Sequence, residues 1–239
     1  MESSRPFHID ILTIFPEFFD SALQTGVIGK AIEKELFSAR CINIRDFATD
    51  KHHTTDDLPY GGGAGMVMKP EPLVSALEHA RQRSGALPRI YLTPQGQRFD
   101  QRMARELAQG DGFIVVCGRY EGIDARVRQG WIDREVSIGD FVLTGGEPAA
   151  LIMLDAITRL LPGVLGNPES IVEESFSKNM LDYPHYTRPR SFRGMEVPEV
   201  LFSGHHAKIE AWRRERALEM TRARRPELLA QELNDHDEP

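Results

Sequence analysis

The chain has 239 residues, of which 41% are hydrophobic, 27% charged and 8% aromatic. That apolar fraction supports a buried core and excludes wholesale disorder, and no apolar run reaches the ~18 residues of a membrane span. With 36 acidic against 29 basic side chains the net charge is −7, which excludes a general-purpose polyanion binder. Met1–Pro6 lacks the charged-then-apolar pattern of a secretory leader. Cys41 and Cys117 lie in apolar, strand-like settings without a Cys-x-x-Cys pair and read as reduced core thiols. The expectation is a soluble, cytoplasmic protein.

Hydrophobic periodicity predicts alternating strands and helices from the start. Ile9–Phe15 reads as a strand stopped by Pro16, Gly29–Leu36 as a helix, Arg40–Ile44 as a strand and Pro72–Arg83 as a helix. Arg89–Thr93 (strand), Gln101–Ala108 (helix), Gly112–Cys117 (a wholly apolar strand), Ile123–Gln129 (helix), Asp133–Ile138 (strand) and Ala149–Leu161 (apolar helix) follow. Such alternation predicts an α/β domain built on a parallel sheet covered on both faces. Beyond Leu161 the breakers Pro162-Gly163 and Gly166-Asn167-Pro168 start a connector. A basic helix follows from about Lys208 to Arg225 with Ile209, Trp212 and Met220 on one side, and Pro226 opens a last short helix. The predicted organisation is an α/β domain over 1–161, a linker over 162–176 and a small helical domain over 177–239, with the acidic end 234–239 reading as disordered. Residues 187–225 carry a net +5 against −12 for the rest. A polyanion would therefore be held at one defined place, although a solvated helix face explains the charge alone equally well.

Glycine-rich clusters stand where strands should end: Pro59–Met66, Cys117–Gly122 and Ser137–Glu147, with a further turn at Thr93–Gly96. None has the spacing of a dinucleotide-binding fingerprint or of a phosphate loop. In a parallel sheet the carboxyl ends of the strands converge on one crevice, and glycine there lets backbone groups approach a ligand. Loops without lysine suit a neutral or cationic ligand better than a triphosphate. His52-His53 with Asp56-Asp57, and His205-His206, are too sparse to define a metal site.

These clusters, with Tyr91–Gly96, Cys117–Asp124, Pro184-His185-Tyr186-Thr187-Arg188-Pro189, Leu201–His206, Trp212-Arg213 and Arg224–Leu229, resemble the bacterial tRNA (guanine-N1)-methyltransferases. The likeness runs in register from Ile14 to about Leu229. It implies a SPOUT-type α/β fold with a deep trefoil knot between about Arg89 and Gly146, a small C-terminal helical domain and a homodimer with active sites at the subunit interface. It implies S-adenosylmethionine as methyl donor, tRNA as substrate through its anticodon arm, and transfer to N1 of the guanosine immediately 3′ of the anticodon. A divalent cation such as magnesium is allowed as an aid to the reaction.

By the same resemblance the cofactor is held by Tyr91, Leu92, Thr93, Pro94 and Gly96, by Gly118, Tyr120, Glu121 and Gly122, and by Ser137, Ile138, Gly139, Asp140, Phe141, Val142, Leu143, Gly145 and Gly146. His52, Asp56, Gly65, Asp182, His185, Arg188, Arg213 and Arg214 would contact tRNA. Arg159 supplies the guanidinium aimed at guanine O6, and Glu174 the carboxylate that takes the N1 proton. The family's usual Asp-Ser-Phe reads Glu174-Ser175-Phe176 here. The extra methylene displaces the carboxylate by about 1 Å and leaves Glu173 and Asp182 open as alternatives. Two competing readings are a methyltransferase on the same scaffold acting on another RNA or on a ribose oxygen, and an RNA-binding module whose glycine loops are only tight turns. A primer-extension stop separates the first of these, and cofactor binding the second.

Overall fold

Seven residues from Phe7 to Thr13 form the first strand, β1, and their side chains divide between two cores. Phe7, Ile9 and Ile11 enter one cluster, and Leu12 and the following Ile14 the other. The sixth strand, β6 (Gly112–Cys117), is buried at every residue: Phe113, Val115 and Cys117 point one way, Ile114 and Val116 the other. A strand buried on both faces must lie inside a helix-covered sheet. The computed structural model describes residues 6–166, 174–176 and 179–234. In it, β1 and β6 occupy the middle of a five-stranded sheet with β2 (Phe37–Asn43), β5 (Arg89–Arg98) and β7 (Arg134–Ser137), in the order β2-β1-β6-β5-β7. All four pairings are parallel.

One face is covered by α1 (Asp20–Gln24), α2 (Gly26–Glu33), α4 (Gln101–Ala108) and α6 (Glu147–Thr158), which supply Ile28, Ala31, Met103, Ala104, Met153 and Leu154 to its core. The other face is covered by α3 (Pro70–Ser84) and α5 (Ala125–Trp131), with Leu73, Leu77 and Val127 buried. Local sequence fixes several helix starts. Asp100 accepts the Met103 amide at 2.8 Å and Asp124 the Arg126 amide at 2.9 Å, as N-caps should.

Several boundaries move from the sequence prediction. The predicted helix Gly29–Leu36 begins at Gly26 and ends at Glu33, because Glu35 takes a left-handed φ of 56°. Helix α5 starts two residues later than predicted, at the residue after its Asp124 cap. The largest change is β5. Thr93-Pro94-Gln95-Gly96 is not a terminating turn but a bulge inside the strand, which resumes pairing with β7 at Gln97. Cys117 is buried as expected, whereas Cys41 is only half-buried.

Pro59–Met66 does not follow a strand of the main sheet. It joins β3 (Asp56–Asp57) to β4 (Val67–Met68) in a small antiparallel pair. Four of its glycines, at 61, 62, 63 and 65, have positive φ.

The chain divides into two compact units, Met1–Gly166 and Asn167–Pro239. In the second, Ser191–Phe192 pairs with Met195–Glu196 (β8 and β9), and two helices follow, α7 (His206–Arg224) and α8 (Glu227–Asn234). Ile209, Trp212 and Met220 are half-buried. The fully packed positions of α7 are instead Ala217 and Thr221, small enough to let Leu181 approach and donate its amide to Thr221 Oγ1 at 2.9 Å.

Candidate active site

Beside the bulge in β5, where β6 and β7 end at their carboxyl edge, the chain lines a cavity of about 250 Å³, near the lower end of small-molecule clefts. Its wall takes Tyr91, Leu92, Thr93 and Pro94 from β5, Gly118, Tyr120, Glu121 and Gly122 from the loop after β6, and Ser137, Ile138, Gly139, Phe141, Val142, Leu143, Gly145 and Gly146 from the segment between β7 and α6. The bulged segment of β5 and two loops thus meet at one place, because β5, β6 and β7 run parallel and side by side.

Close packing explains the glycines. A Cβ on Gly118 would stand 2.8 Å from the Tyr91 ring, and one on Gly122, whose φ is 120°, 3.0 Å from the Tyr91 hydroxyl. A Cβ on Gly146 would stand 2.7 Å from the Cys117 Cα. Burial pushes the Tyr91 phenol above its usual pKa, so it serves as a neutral floor. Ser137 Oγ and the Gly139 carbonyl are 3.1 Å apart, and the Phe141 amide donates to the same carbonyl at 3.0 Å, which folds the 137–141 loop tightly. Phe141 and Val142 are left 53% and 88% exposed at the rim.

Two of the cofactor positions implied by the resemblance fall elsewhere. Gly96 is pressed against the β7 backbone at Glu135 and Val136, and Asp140 is exposed outside the wall. Four lining residues were not named from sequence: Gln95, Arg119, Val136 and Ala149. Arg119 carried a signal, since it lies between two lining glycine-loop residues. Its partner Glu147 is 28 positions away, and no spacing rule would connect them.

The excursion over 55–69 clasps the second loop from outside. Glu121 N–H donates to the Met66 carbonyl at 3.0 Å, Met68 N–H to Gly122 at 2.9 Å, and Asp124 N–H to Met68 at 3.1 Å. A Cβ on Gly65 would reach within 2.5 Å of Glu121 Oε1, so Gly65 and Glu121 are neighbours. Tyr120 is held at φ 59°, and burial followed by the charge of Asp56 raises its phenol pKa. Asp56 and Gly65 therefore adjoin the cavity loop, whereas His52 is exposed, its backbone amide donating to Asp50. Arg159 is half-buried at the C-cap of α6.

The second unit has its own polar constellation. Asp182 lies at its centre: Oδ2 is 2.8 Å from His185 Nε2, Oδ1 accepts the Tyr183 amide at 2.7 Å, and its amide donates to Ser175 Oγ at 3.0 Å. This ties Ser175, next to the half-buried Glu174, to the Asp182–His185 segment. Glu173 lies outside the described residues. The guanidinium of Arg213 stands 4.9 Å over the Tyr183 ring, and that of Arg190 stands 4.5 Å over Phe202. Arg188 and Arg214 are exposed. Arginine–aromatic pairs beside exposed guanidinium groups suit phosphates and unstacked bases.

Among the described residues no group of three or more His, Cys, Asp or Glu is arranged to hold a metal ion, and no helix is long and apolar enough to cross a membrane. The family model described as tRNA (Guanine-1)-methyltransferase TrmD matches residues 7–231. The chain is 56% identical over 221 residues to a tRNA (guanine-N(1)-)-methyltransferase of Carboxydothermus hydrogenoformans, covering 92% of this chain and 87% of that one. A namesake in Pelotomaculum thermopropionicum is 54% identical (93% and 90% covered), and one in Mesorhizobium japonicum 53% identical (93% and 96% covered). A match of this extent leaves no large part of either unit unaccounted for, and the chain belongs to the TrmD family of tRNA (guanine-1)-methyltransferases.

Proposed function

We propose that the chain transfers a methyl group from S-adenosylmethionine to N1 of the guanosine immediately 3′ of a tRNA anticodon. The observation that carries this reading is the glycine-lined cavity at the bulge of β5 and the carboxyl ends of β6 and β7. Among the described residues its wall bears two charged side chains, Arg119 and Glu121, of which Arg119 is paired with Glu147. Backbone edges, an apolar rim and the carboxylate of Glu121 fit an adenosyl group joined to a cationic amino-acid tail. A triphosphate would find no lysine. When bound, the donor supplies an electrophilic sulfonium methyl.

Guanine N1 is protonated and its lone pair delocalised, so the protein must remove that proton as the methyl arrives. In this reading Glu174 takes the proton, and Arg159 faces O6, where negative charge develops. Loop 118–122 and loop 137–146 fix the donor's geometry, which by itself is worth several orders of magnitude in rate. Asp182, His185, Arg188, Arg213 and Arg214 grip the anticodon arm, largely through phosphates. A divalent cation such as magnesium enters only as an aid.

Three further features belong to the same proposal. The chain between β5 and α6 is threaded as a trefoil knot, as the family likeness implies. The enzyme acts as a homodimer, a reading supported by the exposed apolar side chains Leu58, Tyr60 and Val142. It works in the cytoplasm, where its substrate is made. The test is primer extension on unmodified tRNA incubated with the protein and S-adenosylmethionine. N1-methylation blocks Watson–Crick pairing, so a stop at the base 3′ of the anticodon is expected. Read-through accompanied by methyl incorporation would instead indicate a ribose target.

A further inference from the structure

The cavity proposed for a sulfonium contains an arginine, and the way that arginine is held carries an inference that rests on the reading above. Arg119 Nε lies 2.9 Å from Glu147 Oε2. Glu147 is fully buried, and its second oxygen accepts the Thr13 hydroxyl at 2.8 Å. Thr13 Oγ1 in turn accepts the Phe15 amide at 2.9 Å, and the Phe15 ring lies 4.6 Å beneath the guanidinium. Arg119 Nη1 donates to the Thr144 carbonyl at 3.3 Å, and at Gly145 a Cβ would collide with the Arg119 side chain. Glu147 stands in the first turn of α6, where unpaired helix amides favour a carboxylate.

This arrangement ties the two cavity loops together and cancels the only cationic side chain among the described residues of the cavity wall. A half-buried guanidinium without its carboxylate would disfavour a cation nearby, and at protein dielectric the penalty reaches across a small cavity. We propose that Glu147 is a positioning and specificity residue. By neutralising Arg119, it lets the cavity prefer the cationic donor over the thioether left when sulfur keeps the electron pair of the broken C–S bond. Product would then leave more readily than donor.

The inference is tested by calorimetric titration of S-adenosylmethionine and S-adenosylhomocysteine into the full-length protein and its variants. Glu147→Gln should lower the ratio of donor to product affinity about tenfold, and the Arg119→Gln/Glu147→Gln double variant should restore the parental ratio. A Glu147→Gln protein that binds both ligands more weakly by the same factor overturns the inference and reduces the pair to a structural contact. If the parental protein binds neither ligand, the cofactor reading itself fails and this inference falls with it. Should Glu147→Gln not fold, judged by circular dichroism, Arg119→Gln at about pH 9 replaces it. Its lone carboxylate should raise the ratio at least about threefold, and an unchanged ratio overturns the inference.

Discussion

The two units of this chain are held by different physics. In Met1–Gly166, two clusters of buried apolar side chains flank a parallel sheet, and even its buried charges are paired. Asp10, fully buried, takes two hydrogen bonds from Arg40, its register partner on β2, and others from Ser84 and His8. In the second unit, only Ala217, Thr221 and Leu228 are buried among the described residues, and guanidinium–aromatic pairs stand at the surface. The first unit shapes a cavity that must not yield. The second presents charge and rings that, in the proposed function, meet a partner whose own shape completes the interface. In the proposed function, rigid donor geometry and adaptable RNA contact call for these opposite designs.

The largest expected effect separates chemistry from binding. Glu174→Gln keeps the shape of the side chain but cannot take a proton. Turnover should fall by about 10²–10⁴ while calorimetric binding of S-adenosylmethionine is retained. Parental turnover would shift the role to Asp182 or Glu173. Next comes salt. Raising it from about 50 to 200 mM should weaken tRNA binding at least about tenfold and leave donor binding nearly unchanged, and Arg214→Ala should lower the salt slope by about one. Equal salt sensitivity of the two ligands would erase the proposed division of labour.

Within the first unit, Asp10→Asn leaves Arg40 facing a neutral amide and should cost about 3 kcal/mol of unfolding free energy, measured with denaturant. Gly146→Ala pushes a methyl against the Cys117 backbone and should cost about 1–3 kcal/mol, with a loss of donor affinity. The smallest effect is with pH. Burial raises the Asp10 pKa, but hydrogen bonds from His8 and Ser84, with the charges of His8 and Arg40, outweigh it and leave it below its usual value. Hydrogen bonds from Arg89 and Arg126 likewise lower Asp133 and Asp124. These carboxyls bind protons more weakly when folded, so the stability they lend is full above about pH 4 and disappears as pH falls through their folded values. Thermal melts between pH 7 and 2.5 should show this loss, and a flat profile would contradict it.

Much of the sheet was legible because burial on two faces writes itself into composition. Gly112–Cys117 is six residues without a polar side chain, and its predicted limits match β6. Gln101–Ala108 matched α4 because Asp100 caps it. The bulge in β5 was not legible, since Pro94 and Gly96 are turn residues in any local reading and only pairing with β7 continues the strand. The cavity glycines were visible as clusters. What they accommodate, the Tyr91 ring and the Arg119 side chain, is a matter of tertiary contact. On α7 the large apolar residues drew the eye, yet close packing belongs to Ala217 and Thr221.

The most direct measurement is mass-spectrometric mapping of nucleosides from unmodified tRNA incubated with the protein and methyl-deuterated S-adenosylmethionine. A deuterated methyl on N1 of the guanosine after the anticodon is the predicted result. Its absence from purified, folded protein with both ligands present, or its appearance on a ribose oxygen, would contradict the account.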